Sequence, residues 1–155
     1  MSYSLICIDM QPVFNASMNT QIKQSCIREI KKAIRDKSAI LFVEYSGYSP
    51  TIPLLTKIVE DANYKRAYHV IKHNNNGGRE VTEFLNKHHL PKMNMRIAGV
   101  NTSYCVKETV VGIKHYLPNS NIKVIADACA CGWGGHKEAL RYMKQLSGVN
   151  IIRSK

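Results

Sequence analysis

Three side chains of this sequence have the types and the placement that nucleophilic chemistry needs: Asp9, Lys72 and Cys105. Each ends or directly follows a short apolar run, LICID, HVIK and RIAGVNTSYC respectively. Cys105 also opens an apolar-periodic stretch, Val106, Val110, Ile113 and Leu117, which puts it at a helix N-terminus. There, free backbone N–H groups and the helix dipole favour a thiolate. An ammonium such as Lys72 would lower the thiol pKa further, and a carboxylate such as Asp9 could accept the thiol proton and later donate it to a leaving amine. On this reading Cys105 is the most reactive of the 5 cysteines. Each residue alone also has a plain structural reading, Cys105 as a small buried apolar side chain and Asp9 with Lys72 as an ion pair. Their common position at strand ends sets them apart.

The elements that must position them are legible as alternating patterns. Residues 5–10, 39–45, 69–72, 95–100, 122–128 and 150–153 are short apolar runs, partly β-branched, that read as buried strands. Between them lie helical spacings: Ile22, Cys26, Ile30, Ala33 and Ile34; Leu54, Leu55, Ile58 and Val59; Val81, Phe84 and Leu85; the stretch after Cys105; and Ala139, Leu140, Met143 and Leu146. Such alternation predicts an α/β fold of three layers, an open six-stranded parallel sheet of Rossmann type between helices, with ligands beyond the C-terminal strand ends. No repeat or linker interrupts residues 1–155, which read as a single domain, and the asparagine-rich stretch 74–78 reads as one loop.

Composition narrows the setting. With 45% hydrophobic and 21% charged residues, the chain can build an ordinary core without disulfides. Its 5 cysteines, an odd number without framework spacing, suit free thiols in a reducing compartment. There is no apolar run near the ~20 residues a membrane helix requires and no signal-peptide pattern, so a cytoplasmic protein without a membrane partner is expected. The net charge of +11 is compatible with nucleic acid or an anionic small molecule. Arg28, Lys31, Lys32 and Arg35 form a basic face opposite the apolar stripe of the first helix, which reads as solvated, and nucleic acid is not expected as a partner.

Four blocks, LICIDMQPVF, VIKHNNNGGREV, RIAGVNTSYCVKETV and VIADACACGWGGHKEAL, with Asp127 and His136 in the last, occur in an order that resembles the isochorismatase-like cysteine hydrolases, relatives of nicotinamidase and N-carbamoylsarcosine amidase. The resemblance covers nearly the whole chain. It implies that Asp9, Lys72 and Cys105 form a catalytic triad, that the bond between Val100 and Asn101 is a non-proline cis peptide, and that the backbone N–H groups of Asn101 and Cys105 form an oxyanion hole. It further implies a cysteine thioester acyl-enzyme, a small amide or ureido substrate, which the charge would favour as anionic, and a homo-oligomer, dimer or tetramer. True isochorismatases cleave a vinyl ether without the cysteine, so Cys105 points to C–N bonds.

The sequence also departs from that family. Metal-dependent nicotinamidases carry an Asp-x-His pair and a further histidine after the second strand, whereas VEYSGYSPTIPLL contains no histidine. His69, His73, His88, His89, His115 and His136 show no zinc spacing, and Cys129-x-Cys131 with His136 is incomplete, so neither metal nor cofactor is expected. Candidate substrate-binding residues are Phe14, Tyr45, Tyr48, Tyr104 and Trp133, whose rings could stack on a flat substrate; Phe14 and Tyr45 serve a core equally well. A reading from another class, a catalytically silent member binding a small ligand, a protein or a nucleic acid, has no requirement for the three chemical residues together.

Overall fold

The computed structural model describes residues 2–154; the single-domain reading also takes in Met1 and Lys155, which lie outside the described residues. Strands β1 (Ser4–Ile8), β2 (Ala39–Tyr45), β3 (Ala67–Lys72), β4 (Asn94–Val100), β5 (Asn121–Ala130) and β6 (Val149–Ile152) form one sheet in the order β3-β2-β1-β4-β5-β6. Every pairing is parallel. The fold is the expected α/β sheet with helices on both sides. β1 and β2 are apolar on both faces because helices cover both. Leu5, Cys7, Ile40 and Phe42 meet α1 (Thr20–Arg35) and α2 (Pro53–Asp61). Ile6, Ile8, Leu41 and Val43 meet α3 (Gly78–Lys87), α4 (Lys107–Tyr116) and α5 (His136–Lys144).

The helix faces follow the spacing in the sequence. On α1, Ile22, Cys26, Ile30 and Ala33 are buried, and the Asn19 side chain caps the N-terminus by accepting from the Ile22 N–H at 3.1 Å. Burying each isoleucine side chain contributes about 1.5–3 kcal/mol. Strand ends differ from the sequence reading by a residue or two; β3, for example, begins at Ala67 because that residue still pairs with Ile40 of β2. A 3₁₀ turn at Asn15–Met18 carried no apolar period and was not expected.

The segment after β4 requires a larger correction. Cys105 does not start the α-helix; it lies inside a π-helical turn, Thr102–Val106, that precedes α4. The Asn101 carbonyl accepts from both Tyr104 N–H at 3.0 Å and Val106 N–H at 3.2 Å, so the turn is wider than an α-turn, as often seen at functional sites. Upstream, Gly99 sits at φ +130°, and a Cβ there would lie 2.1 Å from the Ile8 carbonyl oxygen. Only glycine lets β4 pass β1 this closely while its register with β5 shifts between Ile97 and Gly99.

Candidate active site

The strand order reverses between β1 and β4, and in such sheets the crevice beyond the C-terminal ends of that pair is the natural ligand site. Asp9 follows β1 and Cys105 follows β4, so both fall at this switch point. Lys72 ends β3 and spans the remaining distance with its long side chain, whose stem runs tightly against Gly77: a Cβ at Gly77 would lie 2.7 Å from Lys72 Cδ. The Lys72 Nζ is 3.1 Å from Asp9 Oδ2, donates to Cys105 Sγ at 3.4 Å and donates to the Asn74 carbonyl at 2.9 Å. All three groups are buried: Lys72 is 0% exposed, Asp9 1% and Cys105 6%. Asp9 occupies the left-handed region at φ 53°, and its N–H donates to the Val43 carbonyl at 2.9 Å.

The electrostatics reverse one expectation. Lys72 does lower the Cys105 thiol, but the net shift is upward: its pKa is pushed up to about 12, by burial first and then by the nearby Asp9 carboxylate, which together outweigh the ammonium. Burial likewise raises Asp9 above the usual carboxylate range, against the lowering effect of Lys72. The ammonium holds the carboxylate in a fully buried ion pair. One buried cation thus faces two groups that compete to be its anion. With its pKa raised this far, the sulfur keeps its proton at neutral pH.

Burial also changes the ranking of the thiols. Cys7, Cys26 and Cys129 are buried and their pKa values raised, whereas Cys131 is half-buried, with its Sγ 3.0 Å from Ser103 Oγ. Cys131 is therefore the accessible thiol of the resting protein, and alkylation at Cys105 has to be read by peptide mapping.

The peptide between Val100 and Asn101 is cis. The Asn101 side chain is buried and accepts from Gly132 N–H at 3.0 Å, tying the Cys105 turn to the loop after β5. That turn is held from a second side by His136, the first residue of α5, whose Nδ1 lies 2.7 Å from the buried Thr102 hydroxyl. Asp127, by contrast, serves the far edge of the sheet, where it accepts from Ser154 N–H at 2.6 Å and Ser154 Oγ at 2.7 Å.

The candidate aromatics form two groups. Phe14, Tyr45 and Tyr48 pack by tilted and edge-to-face contacts at the ends of β1 and β2, with centroids 5.7 to 6.4 Å apart. Tyr104, beside Cys105, meets Trp133 at 5.2 Å after β5. By strand order the two groups flank the switch point. Tyr48, Tyr104 and Trp133 expose about half or more of their surface, so they are free to meet a substrate, whereas Tyr45 lies with its ring 4.0 Å from Lys72 Nζ. Two surface hollows lie elsewhere, one of about 520 Å³ at the N-terminal sheet edge around Tyr3 and Arg96, another of about 620 Å³ between α1 and α5. Their size does not make them the site, because neither is lined by Asp9, Lys72 or Cys105.

The stretch after β2 does not fit a metal. Its carboxylate, Glu44, is buried and accepts from Thr51 N–H and Oγ1 at 2.7 Å while facing His69 Nδ1 at 2.9 Å. Among the described residues, no group of three or more His, Cys, Asp or Glu side chains is gathered as a metal ion would need.

Several residues around the site escaped the sequence reading. Gln11 is fully buried; its Nε2 donates to the carbonyls of Tyr45 and Ser49 at 3.1 and 3.0 Å, and its Oε1 accepts from Tyr45 N–H at 2.8 Å. Asn74 supplies a carbonyl to Lys72, and Asn75 Oδ1 lies 3.8 Å from Cys105 Sγ. Thr109 of α4 accepts from Gly77 N–H at 2.9 Å, closing that loop over the lysine. The run of asparagines after Lys72 was the available signal, since a polar loop directly after a chemical residue has backbone groups to offer it.

A doubly wound sheet with a buried carboxylate, ammonium and thiol at its switch point defines the class of α/β proteins that carry their chemistry on strand ends. Within that class the chain belongs to the isochorismatase family, whose domain model matches residues 3–155. No curated protein matches the sequence. Among solved structures, the nicotinamidase PncA from Bacillus subtilis is similar at 19% identity and a TM-score of 0.78, covering 99% of this chain and 100% of that one. The N-carbamoylsarcosine amidase from Thermoplasma acidophilum is similar at 18% identity and a TM-score of 0.78, covering 100% and 98%. The MAR1 ribonuclease from Caenorhabditis elegans is similar at 18% identity and a TM-score of 0.79, covering 97% and 77%.

Proposed function

We propose that this protein hydrolyses the C–N bond of a small amide or ureido compound through a thioester on Cys105. The observation that carries the reading is the Lys72 ammonium, buried within 3.1 Å of Asp9 Oδ2 and 3.4 Å of Cys105 Sγ. In the first half-reaction Asp9 takes the thiol proton as sulfur bonds the substrate carbonyl carbon, and the carbonyl oxygen becomes an oxyanion. The N–H groups of Asn101 and Cys105 are assigned to that oxyanion, a contribution whose loss commonly costs ~10²-fold or more per donor. Collapse breaks the C–N bond, and Asp9 returns its proton to the leaving amine. Water then adds to the thioester with Asp9 as base, the C–S bond breaks, and the acid leaves as Cys105 regains its proton.

The raised thiol pKa supports this order of events, because a proton held until substrate arrives has to be removed by a base rather than shed beforehand. Solved relatives of the same fold named nicotinamidase and N-carbamoylsarcosine amidase support the bond type. A 6% exposed cysteine favours a small substrate over the polymer that a ribonuclease neighbour would suggest. Tyr104 and Trp133 are assigned to substrate stacking. Among the described residues no helix is long and apolar enough to cross a membrane.

Ammonia release screened across carboxamides, ureido compounds and carbamoyl amines tests the reading, with Cys105→Ala as the blank. At least one compound is expected to release ammonia in a Cys105-dependent way, and acid-quenched protein should carry the acyl mass on the Cys105 peptide. Release that survives Cys105→Ala would overturn it. Dialysis against EDTA is expected to leave the turnover unchanged; a loss restored by zinc or iron would refute a mechanism carried by the triad alone.

A further inference from the structure

Tyr45 was a candidate for stacking on substrate, but its surroundings assign it to the lysine. Tyr45 and Lys72 are direct cross-strand partners in the β2–β3 register, and in a parallel pair such partners project on the same side. The ring centroid lies 4.0 Å from Lys72 Nζ, well inside cation–π range. Gln11 grips the Tyr45 backbone on both its N–H and its carbonyl, and Ser46 N–H donates to the Lys72 carbonyl at 2.9 Å. Phe14 and Tyr48 brace the ring by tilted and edge contacts. A fully buried glutamine and two rings thus maintain one geometry: an aromatic face against a desolvated ammonium.

We infer that Tyr45 is a positioning residue that pins the Lys72 ammonium between Asp9 and Cys105 through the π-face of its ring. This rests on the proposed role of the three buried groups. As Asp9 takes the thiol proton, the negative charge leaves the carboxylate and passes through the sulfur to the substrate oxygen, so the partner of Lys72 changes while the ammonium has to stay. An ion pair alone would draw Nζ toward whichever anion is charged. The attraction of the ring persists through both states and keeps the ammonium within reach of 3.1 and 3.4 Å partners.

The test replaces Tyr45 by phenylalanine, by phenylalanines bearing increasing numbers of ring fluorines introduced by nonsense suppression, and by leucine. Fluorine drains the π-face at nearly constant shape, so a ring that only packs would not respond to it. Because the Cys105 thiol titrates far above pH 8, its iodoacetamide rate at pH 8, followed on the mapped Cys105 peptide, reports its pKa directly. Tyr45→Phe is expected to stay within about twofold of the native rate, with a stepwise fall of about tenfold across the fluorinated series and Tyr45→Leu at its low end. Equal rates across the series would overturn the inference, and so would a fall confined to Tyr45→Leu. The alkylation readout requires no substrate. If it falls stepwise and no C–N compound is cleaved, the hydrolase reading fails and the positioning role stands; if turnover is present and the series is flat, the reverse holds.

Discussion

Asp9→Asn is expected to abolish most amide turnover while making Cys105 easier to alkylate. The two effects separate because Asp9 does two things to the thiol. As the proposed base it would accept the proton during attack, and the amide of asparagine cannot, so acylation should fall by ~10²-fold or more with substrate affinity retained. As a buried anion it holds the thiol pKa up, alongside burial and against Lys72. Removing that charge leaves the thiol alone with the ammonium, so the Cys105 alkylation profile should move to lower pH. In the native protein the acid limb of kcat/KM should lie above the ordinary carboxylate range, because a base at Asp9 would have to be ionised to act and burial raises its pKa. Near-native turnover in Asp9→Asn, or an alkylation profile that moves up, would remove Asp9 from the mechanism.

Lys72→Met should have the opposite electrostatic effect and a large structural one. Lys72 lowers both Asp9 and Cys105, so its loss raises both. Asp9 then takes up a proton and ceases to be a base, and the thiol is harder still to ionise. Turnover is expected to fall by ~10³-fold or more, with the alkylation profile moved to higher pH. At pH values high enough to keep Asp9 charged in the variant, the uncompensated buried carboxylate costs about 3–5 kcal/mol of stability, and at lower pH protonation relieves part of that cost. The Asp9→Asn/Lys72→Met double variant removes both charges and should recover most of that stability in thermal or urea unfolding without recovering activity. A double variant as unstable as Lys72→Met would mean that the lysine acts through packing of its stem rather than through its charge.

Much of this architecture was present in local patterns. Apolar runs and 3.6-residue spacings marked the strands and helices within a few residues, because burial on one stripe or both faces imposes its period on the chain. The same patterns put Asp9, Lys72 and Cys105 at strand ends, and the order of four motif blocks identified the family. What a one-dimensional reading could not supply was neighbourhood. The order β3-β2-β1-β4-β5-β6 joins the ends of β1 and β4, far apart in sequence, and the β2–β3 register sets Tyr45 beside Lys72. Gln11 and the asparagines after Lys72 show no period, since they bond backbone that only the folded loops bring near. The sign of the shift at Cys105 also belonged to the tertiary structure. Helix terminus and lysine argued for a lowered thiol, but the pKa depends on how much water the whole fold removes and on which charge lies closer, and here burial and Asp9 outweigh Lys72.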